Sequence, residues 1–326
     1  MTWTLPSVLP QIRITALAIA VAMVSGCDTA KAPSHIDIVA DNGVYSIRLA
    51  ERGQDVMVGS VHHGGSLWTL DPLERRFDWN HSPTGYSNIL NSAFSGDGQF
   101  VATTDNRTIV LWHRSTGEAE WFWHAPGDIH DIALSNDGGL ALLALRDYTA
   151  TLFDIKNGGI VRRLSHDGNV YSVSLSANGR IAASGSDDLS ARVWDVITGQ
   201  ELLRLDHSNQ VRTVRLSPDA SLLFTSAMGN RGKIWRVSDG TLLQEIDYTR
   251  GHYSAARFSP NSQQLLTGNS SGQISLWNVA DGQRVQQWRA KSRNRLGSHN
   301  VLVEDVRFQG NYWQAAGANG LVYRLD

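Results

Sequence analysis

The sequence predicts an all-β fold built from a repeated unit of about 41 residues. Two observations predict it: aromatic residues recur at a nearly constant spacing, and turn signals separate short alternating strands. The aromatic markers are Trp112, Phe153, Trp194, Trp235 and Trp277, at steps of 41, 41, 41 and 42 residues. A fixed period of this length is typical of repeat architectures.

The stretch from residue 170 to residue 205 shows the unit most clearly. Its first strand, Val170–Leu175, alternates apolar and small polar residues, which is the period-two pattern of a half-buried strand. The turn at 176–179 contains Asn and Gly, which adopt positive φ at low cost. Further strands are predicted at 181–185, 191–196 and 201–205. The unit is therefore a four-stranded antiparallel meander.

Neighbouring units repeat the same turn signals. The turn before the fourth strand recurs as Asn157-Gly158, Asp239-Gly240 and Asp281-Gly282, and such pairs between alternating runs are strong hairpin signals. One such sheet is too small to bury both of its faces, whereas radial stacking covers the faces and leaves only short edges. The sequence therefore predicts a β-propeller of four-stranded antiparallel blades.

These units resemble WD repeats. His166, the run "SGSDD" at 184–188 and the pair Trp194-Asp195 stand at positions of the WD motif, and the resemblance extends from about residue 43 to residue 300. It implies that the loops between blades and the loops between second and third strands share one face of the ring.

The resemblance also implies a buried hydrogen-bond chain of four side chains in the fourth blade: Trp194, Ser184, His166 and Asp188. A buried indole N–H needs an acceptor, and a hydroxyl can accept this bond and pass the chain on. We interpret this tetrad as structural.

The other blades carry the chain only in part. Blade five keeps Trp235, Thr225 and His207 but has no matching aspartate. Blade two keeps Trp112 and Thr103 without a matching histidine. The sequence therefore predicts a complete tetrad in the fourth blade alone.

The two ends of the repeat region predict seven blades and a closed ring. Trp68 lies 44 residues before Trp112 and marks a first blade, while Leu325 occupies the marker position of a last blade. Only three strands are predicted in that last blade. We expect residues 36–39 to supply its outer strand, so that the seven-bladed propeller spans residues 36–326 and an N-terminal strand closes the ring.

The N-terminus resembles the signal peptide of a bacterial lipoprotein. Residues 14–24 form a run of eleven residues that are apolar apart from Thr15. This run suits a signal-peptide core and is shorter than the roughly 20 residues of a membrane-spanning helix. The segment Val24-Ser25-Gly26-Cys27 resembles a lipobox, and Cys27 is the single cysteine of the chain. We expect a signal peptide at 1–26, lipid attachment at Cys27 and a lipidated tether at 27–35. An ordinary cleaved signal and an uncleaved anchor are the alternatives.

The residue after the cysteine bears on the destination. Asp28 resembles the signal by which enteric bacteria retain lipoproteins in the inner membrane, although other bacteria sort differently. This residue favours the periplasmic side of the inner membrane over the outer membrane. The membrane is thus an expected partner through the lipid on Cys27.

Composition and motifs exclude several function classes. The formal net charge is −2, so the surface lacks a general attraction for nucleic acid. The sequence has no Walker loop, paired-cysteine metal site or serine-nucleophile elbow, motifs that carry phosphate, metal or acyl chemistry. We predict no catalytic residue, no cofactor and no metal site. His62-His63 is a weak metal signal, because zinc needs three or four converging ligands.

Loops on one face of the ring are the expected binding surface. Binding residues concentrate in loops on a rigid scaffold, and Tyr and Arg are common anchors of protein interfaces. The candidate partner-binding residues in these loops are Arg107, Arg146, Tyr148, Arg231, Tyr248, Arg250 and Tyr253. We place His62, His63, His81, Tyr86, Met228 and His252 on the same face.

Two further segments are candidates for contacts. The marker step between blades six and seven is 48 residues, and the extra residues lie near the basic segment 289–295, which includes Lys291, Arg293 and Arg295. This segment is either a contact for an acidic protein patch or lipid head groups, or a solvated insertion. Trp121 and Trp123 either leave an edge open for an added strand or, as we favour, at least one packs against the next blade.

The leading hypothesis from sequence is a non-enzymatic protein–protein interaction platform, lipid-anchored at the bacterial cell envelope, whose partners are unidentified envelope proteins. One alternative is an accessory lipoprotein of envelope assembly. Another is a propeller enzyme or small-molecule binder that uses the central channel. Fold alone does not choose among them.

Overall fold

The fold is all-β, as the sequence predicts. The computed structural model describes residues 1, 30–82, 84–247, 251–292 and 300–326. These residues form 28 strands in seven four-stranded antiparallel sheets, which are the seven blades of a propeller. No helix long and apolar enough to cross a bilayer occurs in the described ranges. Cys27, Tyr248, Arg250, Arg293 and Arg295 lie outside them.

Each blade is ordered from the centre of the ring outwards. The first strands, which line the central channel, are β2 (Val44–Leu49), β6 (Asn91–Phe94), β10 (Ile129–Leu134), β14 (Val170–Leu175), β18 (Val211–Leu216), β22 (Tyr253–Phe258) and β26 (Val303–Gln309). The second strands are β3 (Asp55–Ser60), β7 (Phe100–Thr104), β11 (Leu140–Leu145), β15 (Ile181–Ser186), β19 (Leu222–Ala227), β23 (Gln264–Asn269) and β27 (Tyr312–Gly317).

The outer half of each blade carries the markers and the edge. The third strands are β4 (Gly64–Leu70), β8 (Thr108–His113), β12 (Thr149–Asp154), β16 (Ser190–Asp195), β20 (Gly232–Arg236), β24 (Gln273–Asn278) and β28 (Leu321–Leu325). The outer strands are β5 (Leu73–Trp79), β9 (Ala119–His124), β13 (Ile160–Ser165), β17 (Glu201–Asp206), β21 (Leu242–Ile246), β25 (Arg284–Arg289) and, for blade seven, β1 (His35–Ile38).

The N-terminal strand closes the ring, and this prediction is confirmed. β1 pairs antiparallel with β28, with Ile36 opposite Tyr323 and Ile38 opposite Leu321. Just before β1, the amide of Lys31 donates to the carbonyl of Gln287 at 2.9 Å. The chain therefore reaches the ring along its outer rim, between blades six and seven.

The seven markers occupy equivalent positions in the third strands. Trp112, Phe153 and Trp194 lie opposite Val101, Ala141 and Ala182 of the second strands, and the remaining blades keep the same register. In six blades the pairing with the outer strand shifts at the marker. The extra residue bends the strand locally.

Neighbouring blades share their cores through aromatic contacts. Trp79 of blade one stacks on Trp112 of blade two, with ring centroids 5.2 Å apart. Trp121 and Trp123 of blade two both pack on Phe153 of blade three, at 4.9 and 4.2 Å. The expectation that at least one of these two tryptophans packs against the next blade is thus confirmed.

The structure brings the four tetrad residues of blade four into one hydrogen-bonded chain. The indole Nε1 of Trp194 donates to Ser184 Oγ at 2.8 Å, and Ser184 Oγ lies 2.6 Å from His166 Nε2. His166 Nδ1 lies 2.9 Å from Asp188 Oδ2. Burial opposes ionisation of Asp188, but its hydrogen bonds from His166 and Ser190 hold the pKa of this carboxyl well below its usual value.

A second complete chain occurs in blade two, which corrects the prediction of a single tetrad. Trp112 Nε1 donates to Thr103 Oγ1 at 2.7 Å, and His81 links Thr103 to Asp105 at 2.9 and 3.3 Å. His81 precedes Trp112 by 31 residues, whereas His166 precedes Trp194 by 28. This longer spacing concealed the match. His81, expected on the binding face, therefore has a structural role.

In blade five the chain of hydrogen bonds ends at the hydroxyl of Thr225. Trp235 Nε1 donates to Thr225 Oγ1 at 2.8 Å, but neither ring nitrogen of His207 has a hydrogen-bond partner among the described residues. Burial, with a smaller contribution from Lys233, lowers the pKa of His207 from 6.5 to about 4. The imidazole is therefore neutral at pH 7.

Replacing Trp194 by Ala should lower the free energy of unfolding by about 3–5 kcal/mol, because a large buried aromatic is lost and Ser184 loses its donor. Urea denaturation measures this change. Phe122→Ala is the matched control, since Phe122 is 68% exposed on an outer strand; its loss should be within about 0.5 kcal/mol. A loss below about 1 kcal/mol for Trp194→Ala would contradict the buried tetrad.

His207 should make the fold sensitive to acid. Its pKa is lower in the folded state than in the unfolded state, so the unfolded chain binds more protons between pH 6.5 and pH 4. The contribution of His207 to the free energy of unfolding is fully present above pH 6.5 and decreases as pH falls, by about 2 kcal/mol between pH 7 and pH 5. Denaturation midpoints of the parent and His207→Leu measure it; equal acid sensitivity in both proteins would contradict the assignment.

Candidate functional site

The strand order gives the ring two faces with different loops. The loops between blades and the loops between second and third strands lie on one face, which we call the inter-blade face. The turns between first and second strands and between third and outer strands lie on the opposite face, the turn face. This division follows because adjacent strands in every sheet are antiparallel.

Three predicted binding residues form one exposed group on the inter-blade face. Arg107 donates from Nε to Asp128 Oδ1 at 2.7 Å, and Arg146 Nη1 lies 3.8 Å from the other oxygen of Asp128. Tyr148, in the same loop as Arg146, is 53% exposed and has a φ of 69°. The two arginines therefore share one carboxylate and retain donors that face solvent.

The other predicted positions are more scattered. Arg231 is exposed in the loop between β19 and β20. Lys291 is exposed, and its carbonyl accepts a hydrogen bond from Tyr323 Oη at 2.9 Å. His62 and His63 are exposed, and the His63 ring meets Tyr86 edge-on at 5.8 Å.

Tyr253 corrects the expected binding surface. It is the first residue of β22, is only 4% exposed and packs edge-on against Phe224 at 5.8 Å. Its hydroxyl donates to the carbonyl of Asp247, and burial raises the pKa of the phenol. Tyr253 is thus a core residue that offers no ring to a partner.

A stack of three side chains at the channel mouth was missed from sequence. His130, Tyr171 and Arg212 are the second residues of β10, β14 and β18, so they project from neighbouring blades at the same level. The rings of His130 and Tyr171 lie 4.7 Å apart, and the Arg212 guanidinium carbon lies 3.6 Å from the Tyr171 ring centroid. Their shared position in consecutive repeats was the available sequence signal.

Polar groups in this stack are incompletely paired. Tyr171 Oη donates to Asp187 Oδ2 at 3.0 Å. In contrast, His130 Nε2, Asp187 Oδ1 and Arg212 Nε are buried and have no hydrogen-bond partner among the described residues. Burial, followed by the charges of Arg146 and Arg212, lowers the pKa of His130. With His130 neutral, the unpaired atoms at this mouth of the channel include both hydrogen-bond donors and hydrogen-bond acceptors.

The other end of the channel opens into a cavity of about 470 Å³ on the turn face. The cavity is lined by Arg48, Arg215 and Arg257. These arginines form ion pairs with Asp131 and Asp305. Burial opposes ionisation of Asp305, but Arg257 and Arg48 hold its pKa below the usual value. The channel carboxylates are thus ion-pair partners of arginine.

No group of three or more His, Cys, Asp or Glu side chains within the described part of the chain could hold a metal ion. His62, His63, His81 and His124 are among the described residues, so none of them belongs to such a group. Cys27 is not among the described residues.

Four segments match the family model described as WD domain, G-beta repeat: residues 79–113, 158–195, 199–236 and 240–278. Each segment ends at the last residue of a third strand, in blades two, four, five and six. The matches support the WD-repeat propeller family, whose members are generally non-catalytic scaffolds that bind proteins. No curated protein matches the chain.

Proposed function

We propose that this protein is a non-enzymatic interaction platform, held by a lipid anchor at the periplasmic side of a bacterial inner membrane. The observation that carries the proposal is the stack of His130, Tyr171 and Arg212 at the mouth of the channel. Aromatic and Arg side chains in partly desolvated positions are frequent anchors of interfaces.

The unpaired groups of the stack indicate what binds there. Arg212 Nε is a donor, Asp187 Oδ1 is an acceptor, and Nε2 of neutral His130 is either one, depending on the tautomer. Leaving such buried groups unsatisfied costs about 1–3 kcal/mol each. A polypeptide loop brings both N–H and C=O groups, so a protein segment offers partners for donors and acceptors alike, and Arg107, Arg146 and Tyr148 would extend the contact outwards.

The chemistry of the channel favours a binding role over catalysis. Asp131 accepts from the amides of Ile132 and Val173 and from Ser172 Oγ, at 3.0–3.1 Å. Asp305 accepts from the amide of Leu49 at 2.9 Å. Arg257 and Arg48 hold the pKa of Asp305 below its usual value, so this carboxylate is poorly suited to exchange protons at neutral pH.

The position of the N-terminus suits a lipid anchor. Lys31 lies against the outer strand of blade six, four residues after Cys27 in the sequence. A lipid on Cys27 would therefore hold the outer rim of the ring at the membrane. The two mouths of the channel would then lie next to the membrane surface. The residue Asp28 supports the inner membrane as the destination.

Arg212→Ala should reduce capture of envelope proteins by the full-length protein at least tenfold, because it removes a donor and the cation–π contact with Tyr171. The measurement is crosslinking in membranes followed by affinity purification and mass spectrometry. Arg324→Ala is the matched control: it removes a cation–π contact of 4.1 Å with Tyr312, away from the inter-blade face. Equal capture by Arg212→Ala and the parent would refute the proposed contact surface.

Cys27→Ala should release the protein from membranes or stop its processing, since the substituted residue cannot carry a thioether-linked lipid. Fractionation and the mass of the mature N-terminus measure this effect. Asp28→Ala is the companion variant, which keeps the lipid and tests the destination. Unchanged fractionation and processing of Cys27→Ala would refute the lipoprotein assignment.

A further inference from the structure

The fifth residue of six first strands, and the third residue of the shorter β6, face the channel near the turn face. Around the ring these residues are Arg48, Ala93, Ala133, Ser174, Arg215, Arg257 and Arg307. The register confirms their equivalence, since each precedes the residue that pairs with the second residue of the second strand. The four arginines come from blades five, six, seven and one, which are consecutive. The small residues come from blades two, three and four.

This distribution divides the channel wall into a cationic half and a small-residue half. Arg307 is 1% exposed and fixed between blades, because it donates to the carbonyls of Ala50 and Gly53 at 2.9 and 3.0 Å and to Gln314. Arg48, Arg215 and Arg257 have side chains 20–22% exposed. These three guanidinium groups border the 470 Å³ cavity, and the small residues opposite leave it open.

The three arginines form an alternating chain with two aspartates. Arg215 lies 3.4 Å from Asp131, and Arg48 lies 3.8 Å from the second oxygen of the same carboxylate. Arg48 also lies 3.7 Å from Asp305, which lies 3.3 Å from Arg257. The chain begins and ends with a cation, so positive charge exceeds negative charge by one.

Other charges near the cavity compensate this excess only in part. Glu51 lies 3.8 Å from Arg257 but is 58% exposed at the mouth, where solvent screens it. Burial raises the pKa of Glu304 to about 7, so near neutral pH it carries a partial charge. Burial, together with Arg48 and Arg257, lowers the pKa of Arg215, whereas at Arg48 the charges of Asp305 and Asp131 outweigh burial and raise the pKa. These cations repel one another in a desolvated site, and an anion between them relieves that repulsion.

We propose that this end of the channel binds a small organic anion through its oxyanion group, with Arg48, Arg215 and Arg257 as the ligating side chains. The planar guanidinium fork matches the oxygens of a carboxylate or a phosphate. The cavity volume lies within the usual range of ligand sites, about 300–1,000 Å³. Its lining includes the apolar residues Phe94, Leu134 and Phe258, which suits a short carbon skeleton. The site does not depend on the proposed protein contacts at the opposite mouth.

Titration calorimetry on the full-length protein in detergent tests this site, with succinate and inorganic phosphate as probes and neutral succinamide as the control. We expect saturable binding of at least one anion and none of succinamide. Binding of succinate alone assigns a carboxylate ligand, binding of phosphate alone assigns a phosphate ligand, and binding of both supports the shared oxyanion chemistry. Failure of both anions to bind at millimolar concentration would overturn the proposal.

Two variants separate charge from space. Arg215→Met should weaken anion binding at least tenfold, because it removes one charge-assisted ligand. Ala133→Leu should weaken it by a similar factor, because it fills the small-residue half while keeping every charge and hydrogen bond in place. Arg204→Met, at an exposed outer-strand arginine, is the control and should leave binding unchanged. Parent-like affinity in Ala133→Leu would overturn the proposed location, even where Arg215→Met folds poorly.

Discussion

Every blade depends on its neighbours because a four-stranded sheet has two apolar faces and can cover neither by itself. The buried clusters therefore combine residues of adjacent blades, such as Trp79 with Trp112 and Phe153 with Trp121. Each contact removes aromatic surface from water, which is the dominant favourable term in folding. A cycle of such contacts is complete only when the last blade meets the first. The buried cluster that joins Val44 and Leu49 of blade one to Ala316 and Val322 of blade seven supplies that contact, and the pairing of β1 with β28 completes the sheet of blade seven.

The tetrads show how polar groups are accommodated within this packing. In blades two and four a buried indole, hydroxyl, imidazole and carboxylate satisfy one another, and the carboxylate fixes the loop before the third strand, since Asp188 also accepts from the amide of Ser190 at 3.0 Å. In blade three Phe153 and Leu143 replace two polar members together. Loss of both partners avoids leaving one buried group unpaired, which is the costly arrangement.

The rigid ring leaves the two ends of its channel chemically different. At the inter-blade face, His130, Tyr171 and Arg212 present an aromatic and cationic mouth with unsatisfied polar atoms. At the turn face, arginines from four consecutive blades oppose small residues. A repeat protein can specialise single positions in this way because equivalent residues of each unit are held at one level by the shared register. Both proposals, a protein contact and an anion site, use first-strand residues, whose positions the packing determines.

The sequence by itself determined the all-β class, the number of blades, the markers and the closing strand, because period, turn chemistry and alternation are local properties of the chain. It also contained the blade-four tetrad, whose spacing is regular. Only the tertiary structure decided that Tyr253 is buried, that His81 completes a second tetrad, and that His130, Tyr171 and Arg212 meet. His130, Tyr171 and Arg212 are spaced 41 positions apart and meet through the radial packing of blades, whereas His81 precedes its partner Thr103 by 22 positions. Periodicity specifies which residues share a level, but the ring geometry decides which side chains touch.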